Sequence, residues 1–257
     1  MIGIPLGLAI IYQGGWLFLI LILVLSLLGL KELGAILTKL NMPVVIPLAV
    51  PAALLAVLGF SLTSWWLVSL SFTLLIISII IVLLTDYPRM SIMYLAGTLF
   101  SVIYIVWIFG FAVGVRSLDN GFILMVFLLL IIWGTDSGAY FAGYFFGKNP
   151  LAPQLSPKKT IEGSIGGLLV SVALGIIGSF MIELSFLTAI ITAVLISLAA
   201  QIGDLFESML KRTAGIKDSG NIIPGHGGIL DRFDSFFISV ALFYLIVQLV
   251  INDGLAI

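Results

Sequence analysis

The chain has 257 residues, of which 61% are hydrophobic and only 9% charged, with a formal net charge of −1. Soluble domains are about a quarter charged, so at a mean hydropathy of +1.30 a water-soluble globular fold is excluded. Near-neutrality offers no electrostatic footing for nucleic acid, and the lack of cysteine rules out disulfides and thiolate metal sites.

Crossing a bilayer takes about 20 apolar helical residues, and in lipid only helices or closed barrels satisfy their own backbone. The apolar runs here are long and do not alternate, which favours helices. The first, Ile2–Tyr12, is too short to cross alone and has no bases before it, so it makes a poor secretory signal. It reads as a half-span or as part of a longer first helix. There follow Gly15–Leu30, continuing helically to about Leu40; Val44–Phe60; Ser64–Thr85; Met90–Val115; Gly121–Phe146; Ser164–Ile182; Phe186–Leu210; and Phe233–Ile251. The expected fold class is all-α, a polytopic transmembrane protein of about nine helices, the first one short.

Alternating the loops after the second run puts Lys31, Lys39, Arg89, Lys148, Lys158, Lys159, Lys211, Arg212, Lys217 and Arg232 on one side, leaving only Arg116 of the eleven bases on the other. The base-rich side is then cytoplasmic and the C-terminus outside. Of the twelve acids, Glu32, Asp86 and Asp119 lie before residue 120, and most of the others fall between Asp136 and Asp234. A single membrane domain over 1–257 is expected, with 1–120 mainly scaffold and 121–257 the catalytic half.

Three polar stretches interrupt that half: WGTDSGAYFAGYFFGK from Trp133, LSPKKTIEGSIGG from Leu155, and the long segment Gln201–Ser235. Asp204 sits in an apolar run, where a charge costs about 2.5–3.5 kcal/mol at a helix centre by insertion scales. Helical spacing puts Asp204, Ser208 and Lys211 on one face, with Arg212 beside them. A structural ion pair is the plain reading; an acid facing a ligand is the one favoured by its burial near bases. Glu207 and Lys211 suit an ordinary i, i+4 pair.

Asp231 and Asp234 stand where the last helix begins, and capping would account for such acids. It does not account for the Gly225-His226-Gly227-Gly228 turn ahead of them. Glycines let backbone N–H groups approach a ligand closely, and helix N-termini favour anions. Carboxylates beside an anion site suggest a bridging divalent cation, and Mg²⁺ usually takes one or two carboxylates together with substrate phosphates. Lys211, Arg212, Lys217 and Arg232, with Lys158 and Lys159, suit a polyphosphate. Topology alone would explain the side on which Lys158 and Lys159 stand, but not the Ser-Pro and Thr-x-Glu-Gly that flank them. His226, the single histidine, either meets a phosphate or is tied to backbone. Asp136, with Ser137 and Tyr140, forms a polar stripe that lines a pocket or bonds a neighbouring helix.

The stretch SMLKRTAGIKDSGNIIPGHGGILDRFD, Ser208–Asp234, resembles the signature of the phosphatidate cytidylyltransferase (CDP-diacylglycerol synthase) family. Its Ser-x-x-Lys-Arg, Lys-Asp, Pro-x-His-Gly-Gly and Asp-Arg-x-Asp elements stand at the family's spacing. The upstream Ser-Pro-Lys-Lys-Thr-x-Glu-Gly and Trp-x-x-Asp-x-x-Ala-Tyr stretches are also similar, so motifs cover roughly residues 133–235. The start differs, since family members usually begin with a longer first helix and a basic lead-in.

The resemblance implies CMP transfer from CTP to phosphatidate, giving CDP-diacylglycerol and pyrophosphate in phospholipid biosynthesis. It implies Mg²⁺ on Asp204 and Asp231, with K⁺ as a candidate second cation. The reaction is expected to rest on Lys211, Arg212, Lys217, Asp218, His226, Arg232 and Asp234. Substrate is expected to meet Lys158, Lys159, Asp136, Ser208, Gly227 and Gly228. The expected partners are CTP, phosphatidate and membrane lipids, with a homodimer as one assembly. The expected location is a prokaryotic inner (cell) membrane, with the site facing the cytoplasm. Alternatives are another lipid enzyme, a polyprenol kinase or a CDP-alcohol phosphotransferase, although the Asp-Gly-x-x-Ala-Arg motif of the latter is missing. A transporter is the alternative of another class, although no internal repeat is evident.

Overall fold

The computed structural model describes residues 3–86, 92–182, 184–222 and 227–252. Its helices are α1 Gly3–Gln13, α2 Gly15–Lys39, α3 Ile46–Ser61, α4 Trp65–Asp86, α5 Ile92–Ile105, α6 Phe111–Arg116, α7 Gly121–Phe146, α8 Ile161–Ile182, α9 Phe186–Thr213, α10 Leu230–Phe233 and α11 Phe236–Asn252. A π turn, Val106–Gly110, joins α5 to α6 within one apolar run. The protein is an all-α polytopic membrane protein, and among the described residues six helical runs, the α5–α6 run counted as one, are long and apolar enough to cross a bilayer.

Two of the expected spans come out shorter. α3 has 16 residues and starts at Ile46, with Pro47 in its first turn, where a fixed φ and a missing N–H do no harm. α11 has 17 residues, because the chain turns at Asp234, whose carboxylate accepts the Ser235 N–H at 2.7 Å. Arg89, used to assign loop sides, and His226 lie outside the described residues. One element escaped the sequence reading altogether. Pro150–Ala152 (β1) and Ser156–Thr160 (β2) form a small antiparallel hairpin in register Pro150↔Thr160 and Ala152↔Ser156.

The contacts group the residues into two compact units. One comprises 1–117 and 210–233, the other 118–209 and 234–257. Most of the signature stretch, residues 210–233, thus falls in one unit with the N-terminal helices. The core of the first unit is built from α2, α3 and the α5–α6 run, with Leu33, Ile36, Ala56, Ile105 and Phe109 fully buried.

The second unit is organised by a close α7–α8 pair. A Cβ on Gly167 would lie 2.6 Å from the Thr135 carbonyl oxygen, one on Gly163 2.8 Å from that of Ala139, and one on Gly138 2.8 Å from that of Gly166. Small residues at helical spacing let two backbones approach to this degree in lipid, where packing takes over from the hydrophobic effect. A polar ladder ties these helices to α9. Thr135 Oγ1 donates to Ile131 O at 2.9 Å and lies 3.0 Å from Ser197 Oγ, and Gln201 bonds the Ser164 hydroxyl and carbonyl.

Substituting Gly167→Leu is expected to force α7 and α8 apart and to destabilise the second unit by at least the ~1–3 kcal/mol typical of overpacking. Gly7→Ala in α1, where a Cβ meets nothing within 4 Å, should leave stability unchanged or slightly raised. Thermal melting of the purified proteins in detergent checks both.

Candidate active site

In the second unit, the α7–α8 pairing opens a cavity of about 440 Å³ at the hairpin end of the helices. Thr160 closes β2 and starts α8, its Oγ1 accepting the Gly163 N–H at 3.1 Å, a side-chain cap on an otherwise orphan donor. Glu162 reaches back to the preceding loop. Its Oε2 accepts the backbone N–H groups of Lys148 and Asn149 at 3.1 and 3.2 Å, and its Oε1 accepts the Asn149 side-chain amide at 2.7 Å. The Thr-x-Glu-Gly stretch thus builds the hairpin that presents the lysines.

Lys158 and Lys159 on β2, Asp136 and Tyr140 on α7, and Asp204 on α9 all line this cavity, together with Tyr144, Ser164 and Gln201. Lys159 forms an ion pair with Asp204, and Asp136 accepts a side-chain hydrogen bond from Ser235. Of the polar stripe of α7, Asp136 and Tyr140 line the cavity and Ser137 does not. Ser208, expected on the face of Asp204, is half-buried on α9 and does not line the cavity.

In the first unit a second polar cluster surrounds Asp231. Lys211 Nζ donates to its Oδ1 at 2.6 Å, while its Oδ2 accepts the N–H groups of Ser219 and Gly228, both at 2.8 Å, and the Ser219 hydroxyl at 2.9 Å. Burial pushes the Asp231 carboxyl up, but the Lys211, Gly228 and Ser219 donors outweigh it and hold the group below the usual carboxylate range. Gly227 has φ +83°, and a Cβ there would stand 2.6 Å from Asp231 Oδ2. The two glycines thus wrap the carboxylate of this same segment. Arg212 donates to Ile216 O at 3.3 Å, and it is exposed, as are Lys217, Asp218 and Arg232. Asp234 serves the turn into α11, as a capping acid would.

The acids differ in their fitness for a metal. Asp136 and Asp204 share one cavity with two lysines, and among the described residues no group of three or more His, Asp or Glu forms a protein-only cage. That pattern suits Mg²⁺, which needs one or two protein carboxylates and completes its shell with phosphate and water. Asp231 holds three donors of its own and shares the Ser219 hydroxyl hydrogen with Glu32, so most of the roughly four acceptor positions of its carboxylate are taken before any cation arrives.

Glu32 is the residue the sequence reading passed over. It lies in α2 at 4% exposure, and its oxygens accept the Ile229 and Leu230 N–H groups at 3.0 Å and the Ser219 hydroxyl at 3.1 Å. The available signal was an acid inside an apolar helix, the same signal that singled out Asp204.

Residues 1–250 match the model of the cytidylyltransferase family. The phosphatidate cytidylyltransferase of Staphylococcus haemolyticus (strain JCSC1435) is 36% identical over 264 aligned positions, covering 96% of each chain. That of Staphylococcus aureus (strain COL) is 39% identical over 258 positions, again covering 96% of each. That of Bacillus subtilis (strain 168) is 43% identical over 150 positions, covering 57% of this chain and 56% of its own. Matched almost from end to end, with the two polar clusters falling on the motif residues, the chain belongs to the cytidylyltransferase family.

Proposed function

We propose that the protein transfers CMP from CTP to phosphatidate, releasing pyrophosphate and forming CDP-diacylglycerol at the cytoplasmic face of the cell membrane. The observation that carries this reading is the cavity of the second unit. Two lysines of the hairpin meet two aspartates from within the apolar helices α7 and α9 there, a pattern that suits a phosphorylated headgroup on a lipid. The family membership and the names of its relatives point the same way.

In this reaction a phosphatidate phosphate oxygen attacks the α-phosphorus of CTP. One P–O bond forms, the bond to the β-phosphate breaks, and pyrophosphate carries away the electron pair. The nucleophile is already anionic, so no protein base is needed. Catalysis is then mostly positioning and charge neutralisation. Lys158 and Lys159 hold phosphate oxygens. Lys211, Arg212, Lys217 and Arg232 neutralise the triphosphate and the charge that develops on pyrophosphate. Asp136 and Asp204, which share the cavity, are the acids that would hold Mg²⁺, with K⁺ as a candidate second cation; that ion would supply polarisation of the α-phosphate.

Purified protein in detergent, given phosphatidate, Mg²⁺ and CTP labelled at the α-phosphate, is expected to move label into the organic phase. ATP and GTP should not replace CTP. Solute flux into liposomes without nucleotide turnover would instead favour a transporter. Asp231→Asn is expected to lower turnover at least ~10²-fold, as loss of a charge-positioning group does. It should also lower the melting temperature, because the amide turns a donor toward one of the donors now on the carboxylate. Lys159→Met is expected to raise the KM for phosphatidate more than that for CTP, as read from initial rates with each substrate varied.

A further inference from the structure

Glu32 belongs to α2, far in sequence from every motif residue, yet it is the most fully engaged acid of the first unit besides Asp231. Its Oε1 accepts the Ile229 N–H, and its Oε2 accepts the Leu230 N–H and the Ser219 hydroxyl. The backbone at Ile229 and Leu230 leads directly into Asp231, and Ser219 donates both its N–H and its hydroxyl to Asp231. The one hydroxyl hydrogen of Ser219 lies within reach of two carboxylates, Glu32 Oε2 at 3.1 Å and Asp231 Oδ2 at 2.9 Å. Two glycines exist to admit Glu32, since a Cβ on Gly220 or on Gly228 would come within 2.5 Å of its Oε1.

We infer that Glu32 is a positioning residue for the transfer reaction: a buried carboxylate that pins both ends of the 219–230 segment and so holds Asp231 in register with Lys211. A merely structural acid in α2 would need donors, but any nearby donors would serve. Here each of its hydrogen bonds goes to a residue that either bonds Asp231, as Ser219 does, or is one of the two residues leading into it, Ile229 and Leu230. No substitution keeps this pattern. Glutamine retains one oxygen, and its NH₂ must then face the Ile229 or the Leu230 N–H, donor against donor.

This inference rests on the proposed reaction, so the experiment reads the tether and the turnover separately. Wild type, Glu32→Gln and Ser219→Ala, each as the full chain in detergent, are compared by thermal melting, by amide hydrogen exchange over 227–233, and by initial rates with CTP and phosphatidate varied in turn. The expectation for Glu32→Gln is exchange at Ile229 and Leu230 faster by about 10-fold or more, with kcat lowered about 10- to 100-fold, the size of a lost charged hydrogen bond. The KM for each substrate should stay within about 3-fold, a split that general unfolding would not give, since positioning of the reacting groups acts on turnover. Ser219→Ala, which removes one hydroxyl and strands no donor, should fold normally and lower kcat by a smaller factor.

A kcat in Glu32→Gln within about 3-fold of wild type overturns the inference, and so does unchanged exchange whatever the activity. Should Glu32→Gln fail to fold, Ser219→Ala decides, and wild-type kcat in that variant overturns the inference too. A wild-type protein that moves no label sinks the reaction and leaves the exchange result to judge the tether.

Discussion

A carboxylate inside an apolar helix persists only if its oxygens are met by donors, because an unpaired buried charge is among the most destabilising groups a fold can contain. Glu32 in α2 meets this constraint with two backbone N–H groups and a hydroxyl, all from the 219–230 segment. Much of the local chain follows from that demand. Gly220 and Gly228 are bare of side chain where the carboxylate passes. Ile229 and Leu230 are buried with their N–H groups turned to α2, and α10 begins at Leu230.

The second unit answers a different constraint. Its cavity exists because α7 and α8 come together through glycine and alanine, with backbone carbonyls where side chains would otherwise stand. This pairing leaves α7 free to present Asp136, Tyr140 and Tyr144 on one stripe, and it sets the hairpin over the helix ends so that Lys158 and Lys159 face the same space. Glu162 bonds the loop that enters the hairpin and Thr160 caps the helix that leaves it, so both fix the hairpin at its two ends.

Both clusters pair each key acid with a lysine: Asp204 with Lys159 and Asp231 with Lys211. Such pairs keep charge near lipid without leaving any of it uncompensated. They also store cations next to the acids in a form that phosphate can compete for, since a phosphate oxygen offers lysine an equivalent acceptor.

The sequence by itself determined the class and most of the elements. Apolar runs of fixed minimum length can only be helices in lipid, so α2, α4, α7, α8 and α9 were legible to within a few residues, and the motif spacing singled out Asp136, Lys158, Lys159, Asp204, Lys211 and Asp231. The Pro150–Thr160 hairpin was not legible, because a three-residue strand of mixed polarity has no periodicity to read. The lengths of α3 and α11 were set by Pro47 and by the Asp234 turn, which hydropathy does not register. Only the tertiary structure decided what each acid does. Asp136 and Asp204 share a cavity although 68 residues separate them, and Glu32 joins Asp231 across 199 residues of chain (204 − 136 and 231 − 32). A hydrogen bond needs two groups within about 3 Å, and nothing in a linear sequence states which distant donors a buried carboxylate will find.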